Sequence, residues 1–168
     1  LVVAAMNPCK CGFYPDMVRC RCTRAQIRRY LSRVSGPFLD RIDIGVEVPR
    51  QDLTQESLRE KGESSAVMRG RVERAVRRQR ERFANTGISC NGRMGRRQIE
   101  EFCALGAKEE ALLDAICQNQ NLSLRGRMKL LKVSRTLADL DEAEAIGREQ
   151  LAEAAAFRSF EARYWGQM

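Results

Sequence analysis

Two Cys-x-Cys pairs lie close together near the start of the chain. They are separated by eight residues and comprise Cys9, Cys11, Cys20 and Cys22. In extended backbone, residues two apart point to the same side, so each pair can offer two sulfurs to one ion. Thiolate sulfur is a ligand of closed tetrahedral zinc sites, and the chain contains no histidine. The pattern favours an all-sulfur zinc site over free thiols, or over two disulfides, which such close thiols form only with strain.

A four-sulfur site leaves no position open to water, so we expect this one to fix its loop and not to activate a nucleophile. The other thiols, at Cys90, Cys103 and Cys117, fall on predicted helices or loops and are expected to be ordinary core or surface residues. Seven cysteines form an odd set. This count argues against a disulfide framework and fits a reduced, cytoplasmic protein.

A candidate polar site residue follows the first apolar segment. Residues 1–6 are apolar without alternation, which predicts a buried strand of a parallel sheet. Asn7 comes directly after this strand. Ligands of open parallel sheets bind beyond the carboxyl ends of the strands, so the amide of Asn7 could orient a water or contact a phosphate. The alternative is a simple turn, which is the commoner role of an Asn-Pro sequence.

Two arginines are further candidates for phosphate chemistry. Arg41 precedes an alternating segment at 42–49 that predicts a second strand, closed by a proline. It could pair with Asp40 or Asp43, or it could reach the γ-phosphate of a nucleotide on a neighbouring subunit as an arginine finger. Arg125, at the start of a predicted helix, could reach phosphate from the helical part of the chain, and the alternative is an ordinary surface arginine.

Helical signals occupy most of the remaining chain. Thr23, Ser64 or Ser65, and Ser123 are candidate N-cap residues, because their hydroxyls can accept hydrogen bonds from the first helical turn. Caps and apolar periodicity together predict helices at 23–35, 66–84, 97–105, 108–118, 124–140 and 148–160. The side chains expected to face inward on the second and fifth of these are Met68, Val72, Val76 and Phe83, and Leu124, Met128, Leu131 and Leu137.

The chain therefore divides into two predicted parts. An α/β piece extends to about residue 50, and an all-helical piece begins at about residue 64, with polar residues 51–63 as a linker. The formal charge of +8 favours anionic partners such as nucleic acid. The helix at 66–84 carries seven arginines and two glutamates. Such a run is usually a solvated face, and the alternative is a surface that follows a phosphate backbone.

Several common motifs are missing from the sequence. It has no GxxxxGK[ST] phosphate loop and no apolar strand that ends in Asp-Glu. The lack of histidine excludes a histidine-based triad or general base. No apolar segment approaches the roughly 20 residues of a membrane span, so we expect no membrane association. The chain starts Leu-Val-Val without an initiator methionine, and we expect it to be part of a longer protein.

Taken in order, the motifs resemble the Mg-chelatase-like, ComM-type AAA+ ATPase family. Five segments carry the resemblance. Segment 3–12 contains the first cysteine pair and segment 20–22 contains the second, and the other three are 35–49, 122–127 and 130–140. The resemblance covers essentially the whole chain. It implies a fold in which residues 1–50 form the C-terminal part of an AAA+ core with a four-cysteine zinc loop, and residues 64–168 form a helical lid domain.

The resemblance also implies roles for single residues. Asn7 matches the sensor-1 asparagine, which positions the attacking water, and Arg41 matches the trans-acting arginine finger. Arg125 matches the sensor-2 arginine, which links the lid to bound nucleotide. The four cysteines match the family's zinc-binding insertion. Asn7 and Arg125 are thus the expected catalytic and nucleotide-binding residues in cis, with Arg41 acting across the subunit boundary.

The family implies an ATP-driven and Mg-dependent hexameric motor on DNA, a helicase associated with branch migration in natural transformation. The phosphate loop and acidic strand of this family are absent from the sequence, so the chain alone is expected to be inactive as an ATPase. The alternative is a stand-alone, zinc-stabilised module that binds nucleic acid and has no enzymatic role.

Overall fold

A computed structural model describes residues 1–48 and 62–166 of the protein. Residues 51–61 of the predicted linker lie outside the described residues. Pro49, which closes the second predicted strand, also lies outside them. The chain forms two compact units. The first unit comprises Leu1–Ile42 together with Ser159–Met168, and the second comprises Asp43–Arg158.

The described residues are mostly helical. The α-helices in this part of the chain are α1 (Arg24–Leu31), α2 (Gly36–Leu39), α3 (Ser65–Arg82), α4 (Arg96–Phe102), α5 (Ala107–Asn119), α6 (Leu124–Leu140), α7 (Arg148–Ala156) and α8 (Ser159–Tyr164). A 3-10 turn at Asn91–Arg93 precedes α4. Within the described ranges, no helix has both the length and the apolar character needed to cross a bilayer.

Side-chain hydroxyls cap the N-termini of three predicted helices, α1, α3 and α6. The side chain of Thr23 accepts a hydrogen bond from the Gln26 backbone at 3.3 Å, while the Gln26 side chain accepts one from the Thr23 backbone at 2.9 Å. Ser64 and Ser123 cap α3 and α6 through their hydroxyls, which accept hydrogen bonds from the backbone N–H groups of Val67 and Gly126. These three caps confirm the predicted helix starts, since each satisfies a backbone donor that the first turn leaves unpaired.

A short helix was not predicted after α1. The predicted first helix extends only to residue 35, and no helix was expected at Gly36-Pro37, where α2 starts. Ser35 caps α2 by accepting a hydrogen bond from the Phe38 backbone at 3.3 Å. Proline is tolerated in a first helical turn because its missing N–H would have no intrahelical partner. Helix α1 ends at Leu31, and α2 begins five residues later, at Gly36.

The two predicted strands are not formed in the described residues. Residues 1–6 and 42–48 have no regular secondary structure, and Val2, Val3 and Val48 are each at least 76% exposed. The prediction of an α/β fold is therefore not met by these segments. The physical reason is that a strand needs an adjacent strand to continue its ladder of backbone hydrogen bonds, and the described residues supply no such strand.

The core of the second unit surrounds α6, which packs against α3, α4, α5 and α7. Leu113, Leu130 and Leu151 are fully buried at its centre. Phe83, just past the end of α3, packs edge-on against Phe102 with ring centroids 5.4 Å apart. Apolar burial of this kind supplies most of the favourable free energy of a helical bundle.

The inward face of α3 differs from the predicted one. Ala75 and Gln79 are buried, and Phe83 is buried as predicted. The apolar residues that were expected to face inward but are exposed are Met68, Val72 and Val76 on α3, and Leu124 on α6. The prediction was wrong for the three residues on α3 because the buried positions there are Ala75, Gln79 and Phe83, which include a polar group. Leu124 is exposed in the first turn of α6.

Polar groups form a buried network around one carboxylate. Asp139 is fully buried and pairs with Arg82 through both carboxylate oxygens, at 2.8 Å in one of the two contacts. Asn91 donates to Asp139 at 2.8 Å and to the Thr136 hydroxyl at 3.1 Å. Arg135 lies 3.3 Å from the same carboxylate. No role was predicted for Asn91 or Asp139, although the i,i+4 spacing of Arg135 and Asp139 was a signal for part of this contact.

Candidate metal centre

The structure brings the four predicted sulfur ligands together. Every sulfur of Cys9, Cys11, Cys20 and Cys22 lies within 4.8 Å of the other three. The Cys9 sulfur is 3.3 Å from that of Cys11 and 3.8 Å from that of Cys20, and the Cys11 and Cys20 sulfurs are 3.5 Å apart. We call these four residues the cysteine cluster. All four are unbridged thiols, so the disulfide alternative is not what this structure contains.

These distances fit a tetrahedral sulfur site. With a zinc–sulfur bond of about 2.3 Å, tetrahedral geometry places the sulfurs about 3.8 Å apart. The measured separations of 3.3, 3.5 and 3.8 Å lie close to that value. Four soft donors at this spacing are suited to a metal such as zinc. The cysteine cluster can therefore bind a metal with only small adjustments of its side chains.

Two tight turns position the cluster. Gly12 has a φ of +80° and donates its backbone N–H to the Cys9 carbonyl at 3.1 Å. Between the pairs, the Asp16 carboxylate accepts hydrogen bonds from the backbones of Val18 and Arg19 at 3.0 and 3.2 Å. The Asp16 carbonyl accepts a further bond from Cys20 at 2.8 Å. Because these bonds fix both turns, the second pair is brought back over the first.

Helix α1 and the C-terminal residues pack around the cluster. Ile27 and Leu31, one turn apart on α1, are buried against Cys9 and Cys20. The indole N–H of Trp165 donates to the Leu31 carbonyl at 3.1 Å. The ring of Tyr164 packs edge-on against that of Tyr14, with centroids 6.0 Å apart. The cluster is thus at the centre of the small core of the first unit.

The thiols influence one another's ionisation. A hydrogen bond from the Phe13 backbone lowers the pKa of Cys11 to about 6. A backbone hydrogen bond at Cys22 lowers the pKa of Cys20, but burial and the neighbouring sulfurs outweigh it and raise that pKa to about 12. The pKa of Cys22 is raised in the same way, with a backbone hydrogen bond at Cys11 as the opposing influence. One thiolate therefore opposes the next, and a bound cation would remove this repulsion because metal ligation favours the deprotonated sulfurs.

Substitution of Gly12 by alanine is expected to weaken metal binding by about tenfold. The cause is backbone strain of about 1–2 kcal/mol, since a φ of +80° is unfavourable for a residue with a Cβ. A Cβ would meet the Asn7 amide only at ordinary contact distance, 3.7 Å, so crowding contributes little. Competition with a chromophoric chelator measures the effect. Gly36→Ala is the matched control, because a Cβ there meets nothing within 4 Å, and equal affinities for both variants would contradict the strain argument.

The three predicted nucleotide-site residues do not all share one unit. Asn7 and Arg41 lie in the first unit and Arg125 in the second. Asn7 is exposed, with its amide beside Gly12. Arg41 is exposed and donates to the Pro37 carbonyl at 2.5 Å. Arg125 is exposed in the first turn of α6. Each side chain is therefore on the surface, where another molecule could reach it.

Four of the seven arginines on α3 bond to other groups of the same chain. Arg71 pairs with Glu63 at 2.5 Å and Arg74 with Glu142 at 2.6 Å. Arg78 donates to the Ala143 carbonyl at 3.0 Å, and Arg82 pairs with Asp139. The other arginines of this helix are exposed, and they are Arg69, Arg77 and Arg80. The cationic surface of α3 is accordingly smaller than the sequence indicated.

Comparison with known proteins places the whole chain in one group. Residues 1–58 match the family described as magnesium chelatase, subunit ChlI, and residues 62–158 match that described as magnesium chelatase, subunit ChlI C-terminal. The chain is 40% identical to the competence protein ComM of Haemophilus influenzae over 161 residues, which are 94% of this chain and 30% of that protein.

Two further relatives give the same result. The YifB protein of Salmonella typhimurium is 39% identical over 167 residues, covering 95% of this chain and 31% of its own length. A protein of Mycobacterium tuberculosis is 35% identical over 166 residues, or 96% of this chain and 32% of its own length. The chain thus spans about a third of the length of the curated relatives it matches. The two family matches and the three relatives confirm the resemblance stated above. The chain belongs to the Mg-chelatase-like family that includes ComM.

Proposed function

We propose that this chain is the C-terminal portion of a ComM-like AAA+ ATPase that moves along DNA as a cytoplasmic hexamer and drives branch migration during natural transformation. The observation that carries the proposal is the similarity to the competence protein ComM over 94% of the chain. The net charge of +8 also supports it, since DNA is a polyanion. ATP and Mg²⁺ would be bound by the whole protein, to which this chain contributes residues.

The proposed structural metal is zinc, held by the cysteine cluster. The spacing of the sulfurs and the lack of any histidine support zinc as the ion. Bound zinc would supply a cross-link between the two cysteine pairs and no Lewis-acid chemistry. The protein's own contribution is to hold the sulfurs in place through the turns at Gly12 and Asp16.

The exposed apolar segments support a parent protein with an α/β core. Residues 1–6, which have the composition of a buried strand, expose apolar side chains, and so do residues 44–48 of the alternating segment at 42–49. We propose that strands from the rest of such a protein pair with them. In that assembly residues 1–50 belong to the AAA+ core, 51–63 are a linker and 64–168 are the lid.

Three residues have proposed roles in hydrolysis. Asn7 would orient the attacking water from the end of its strand, and Arg125 would contact the nucleotide from the lid. Arg41 would offset the charge that develops on the γ-phosphate of a neighbouring subunit. Phosphoryl transfer depends mainly on positioning and on charge stabilisation, which these groups can supply. The surface exposure of all three supports this assignment.

Arg41→Ala in the intact parent protein is expected to abolish ATP hydrolysis and to leave ATP binding unchanged. Loss of a transition-state arginine typically costs about 10³–10⁵ in rate. The exposed side chain of Arg41 bonds to the nearby Pro37 carbonyl, so its removal should disturb little structure. Steady-state phosphate release and equilibrium binding of a fluorescent nucleotide measure the two quantities. Arg33→Ala, which removes another exposed arginine of this unit, is the control, and normal turnover by Arg41→Ala would refute the assignment.

A further inference from the structure

The first unit has an unusual charge distribution. It contains nine lysines and arginines but three acidic residues, which are Asp16, Asp40 and Glu161. The carboxylate of Asp16 is already engaged, since it accepts backbone hydrogen bonds from Val18 and Arg19 and lies 3.6 Å from the Arg19 side chain. Six of the cations are arginines of residues 17–39, a stretch whose own sequence contains no carboxylate.

The cations of this stretch face solvent. Arg24 and Arg28 lie one turn apart on α1, and Arg21 precedes that helix in the second cysteine pair. The side chains of all three are exposed. The buried side chains Ile27 and Leu31 hold α1 against the cysteine cluster. The arginines are therefore presented by a fixed helix, which lowers the conformational entropy lost when they bind a partner.

Two apolar side chains lie at the tip of the loop between the two cysteine pairs. Met17 is 57% exposed and Val18 is 97% exposed. Neither can avoid solvent, because the hydrogen bonds to Asp16 and the cysteine pairs on either side fix the turn. Beside the tip lies a shallow groove of about 500 Å³, lined by Cys11, Phe13, Val18, Arg19 and Arg21. An apolar tip next to arginines and an aromatic ring matches the chemistry of nucleic acid, whose bases are apolar on their faces and whose backbone is anionic.

We infer that the loop tip and the adjoining arginines form a nucleic-acid-binding face. We call this surface the cysteine-loop face, and it comprises Met17, Val18, Arg19, Arg21, Arg24 and Arg28. The arginines contact phosphates, and the apolar tip contacts bases. The inference rests in part on the proposed action on DNA, and it goes further by naming the surface. Phosphate is favoured over protein carboxylates because guanidinium groups presented this densely suit a regular polyanion.

The test uses the full 168-residue chain, freshly reduced and loaded with zinc, and a fluorescein-labelled (dT)20 strand. Fluorescence anisotropy gives the dissociation constant between about 50 and 200 mM salt. The variant Arg24→Glu/Arg28→Glu is expected to bind about tenfold more weakly, and its log–log salt slope is expected to fall by about 1.4, or about 0.7 for each lost contact to a single strand. The matched control is Arg97→Glu/Arg148→Glu, which changes the net charge equally at exposed positions of the second unit.

A second variant separates apolar from ionic contacts. Met17→Ser/Val18→Ser is expected to bind about fivefold more weakly with an unchanged salt slope, since it removes contacts to bases and no charge. Both side chains are exposed, so folding should be preserved. Circular dichroism and zinc content verify this for every variant.

Two results would overturn the inference. One is equal binding by Arg24→Glu/Arg28→Glu and by the control pair. The other is competition by poly-L-glutamate that equals competition by the oligonucleotide at the same charge, which would indicate an acidic protein partner. This binding experiment is carried out without ATP, whereas the Arg41→Ala experiment measures ATP hydrolysis and ATP binding. The failure of one proposal can therefore be distinguished from the failure of the other.

Discussion

Asp139→Asn is expected to lower the free energy of unfolding of this protein by about 3–5 kcal/mol, the usual cost of removing one partner from a buried ion pair. Asp139 is fully buried and accepts hydrogen bonds from Arg82 and Asn91, with Arg135 also in contact. The side chains of Arg82 and Arg135 are only 14% and 4% exposed. Neutralising the carboxylate leaves both guanidinium groups without a counter-charge in a place that water scarcely reaches.

The control for this variant is Glu142→Gln. Glu142 pairs with Arg74 at 2.6 Å, but both side chains are about half exposed, so the loss should be below about 1 kcal/mol. Urea unfolding followed by circular dichroism measures both values. Equal losses in the two variants would show that burial of the Asp139 network contributes little to stability.

The same network predicts a dependence on pH. Burial raises the pKa of Asp139, but hydrogen bonds from Arg82 and Asn91 and the charges of the two arginines outweigh it, so the pKa lies below its ordinary value. A depressed pKa means that the stabilisation is fully present above the unfolded pKa of about 3.9 and is lost as the pH falls through the lower folded value. The wild-type protein should therefore lose stability below about pH 4, and Asp139→Asn should lack this part of the loss.

Removal of metal is expected to unfold the first unit. Structural zinc sites in small domains contribute about 10–16 kcal/mol of apparent binding free energy at neutral pH, which is also folding free energy. The small core of this unit is built directly on the cysteine cluster. Elemental analysis should find one zinc per chain. A strong chelator should change the fluorescence of Trp165, because unfolding of the first unit breaks the hydrogen bond from its indole to the Leu31 carbonyl.

The cysteine variants make this expectation specific. Cys20→Ser removes a buried ligand and is expected to lose zinc and the folded first unit, with the helical bundle of the second unit retained. Cys90→Ser changes a half-buried thiol of the second unit and should keep one zinc per chain. Full zinc occupancy in Cys20→Ser would contradict the four-sulfur site.

Local signals in the sequence were sufficient for three helix starts and for the cysteine cluster, although the local cap of α2 at Ser35 was missed. The caps at Thr23, Ser64 and Ser123 are local, because a hydroxyl bonds a backbone group three residues away. The cysteine cluster was also foreseen, since the spacing of the two pairs already brought the ligands near one another. These features depend on short stretches of chain and need no knowledge of the rest of the fold.

The failures at the two predicted strands and on α3 have a different cause. The segments at 1–6 and 42–49 have strand-like sequence patterns, but a strand depends on a partner that the local pattern does not reveal. On α3, the apolar residues at Met68 and Val72 predicted the wrong inward face, because Gln79 and Arg82 are instead drawn into the network around Asp139. The partner of Arg82 lies 57 residues away in sequence. A polar core contact over that separation gives no periodic signal.

The first unit is assembled from two stretches of sequence, with more than a hundred residues of the second unit between them. During translation, Tyr14 and Leu31 would leave the ribosome long before Tyr164 and Trp165, the rings that pack against them. At about 5–20 residues per second, that delay lasts several seconds or more. The order of synthesis therefore favours completion of the helical bundle first. A tag or a cut placed near residue 159 would disturb the first unit, most of which is synthesised before the bundle.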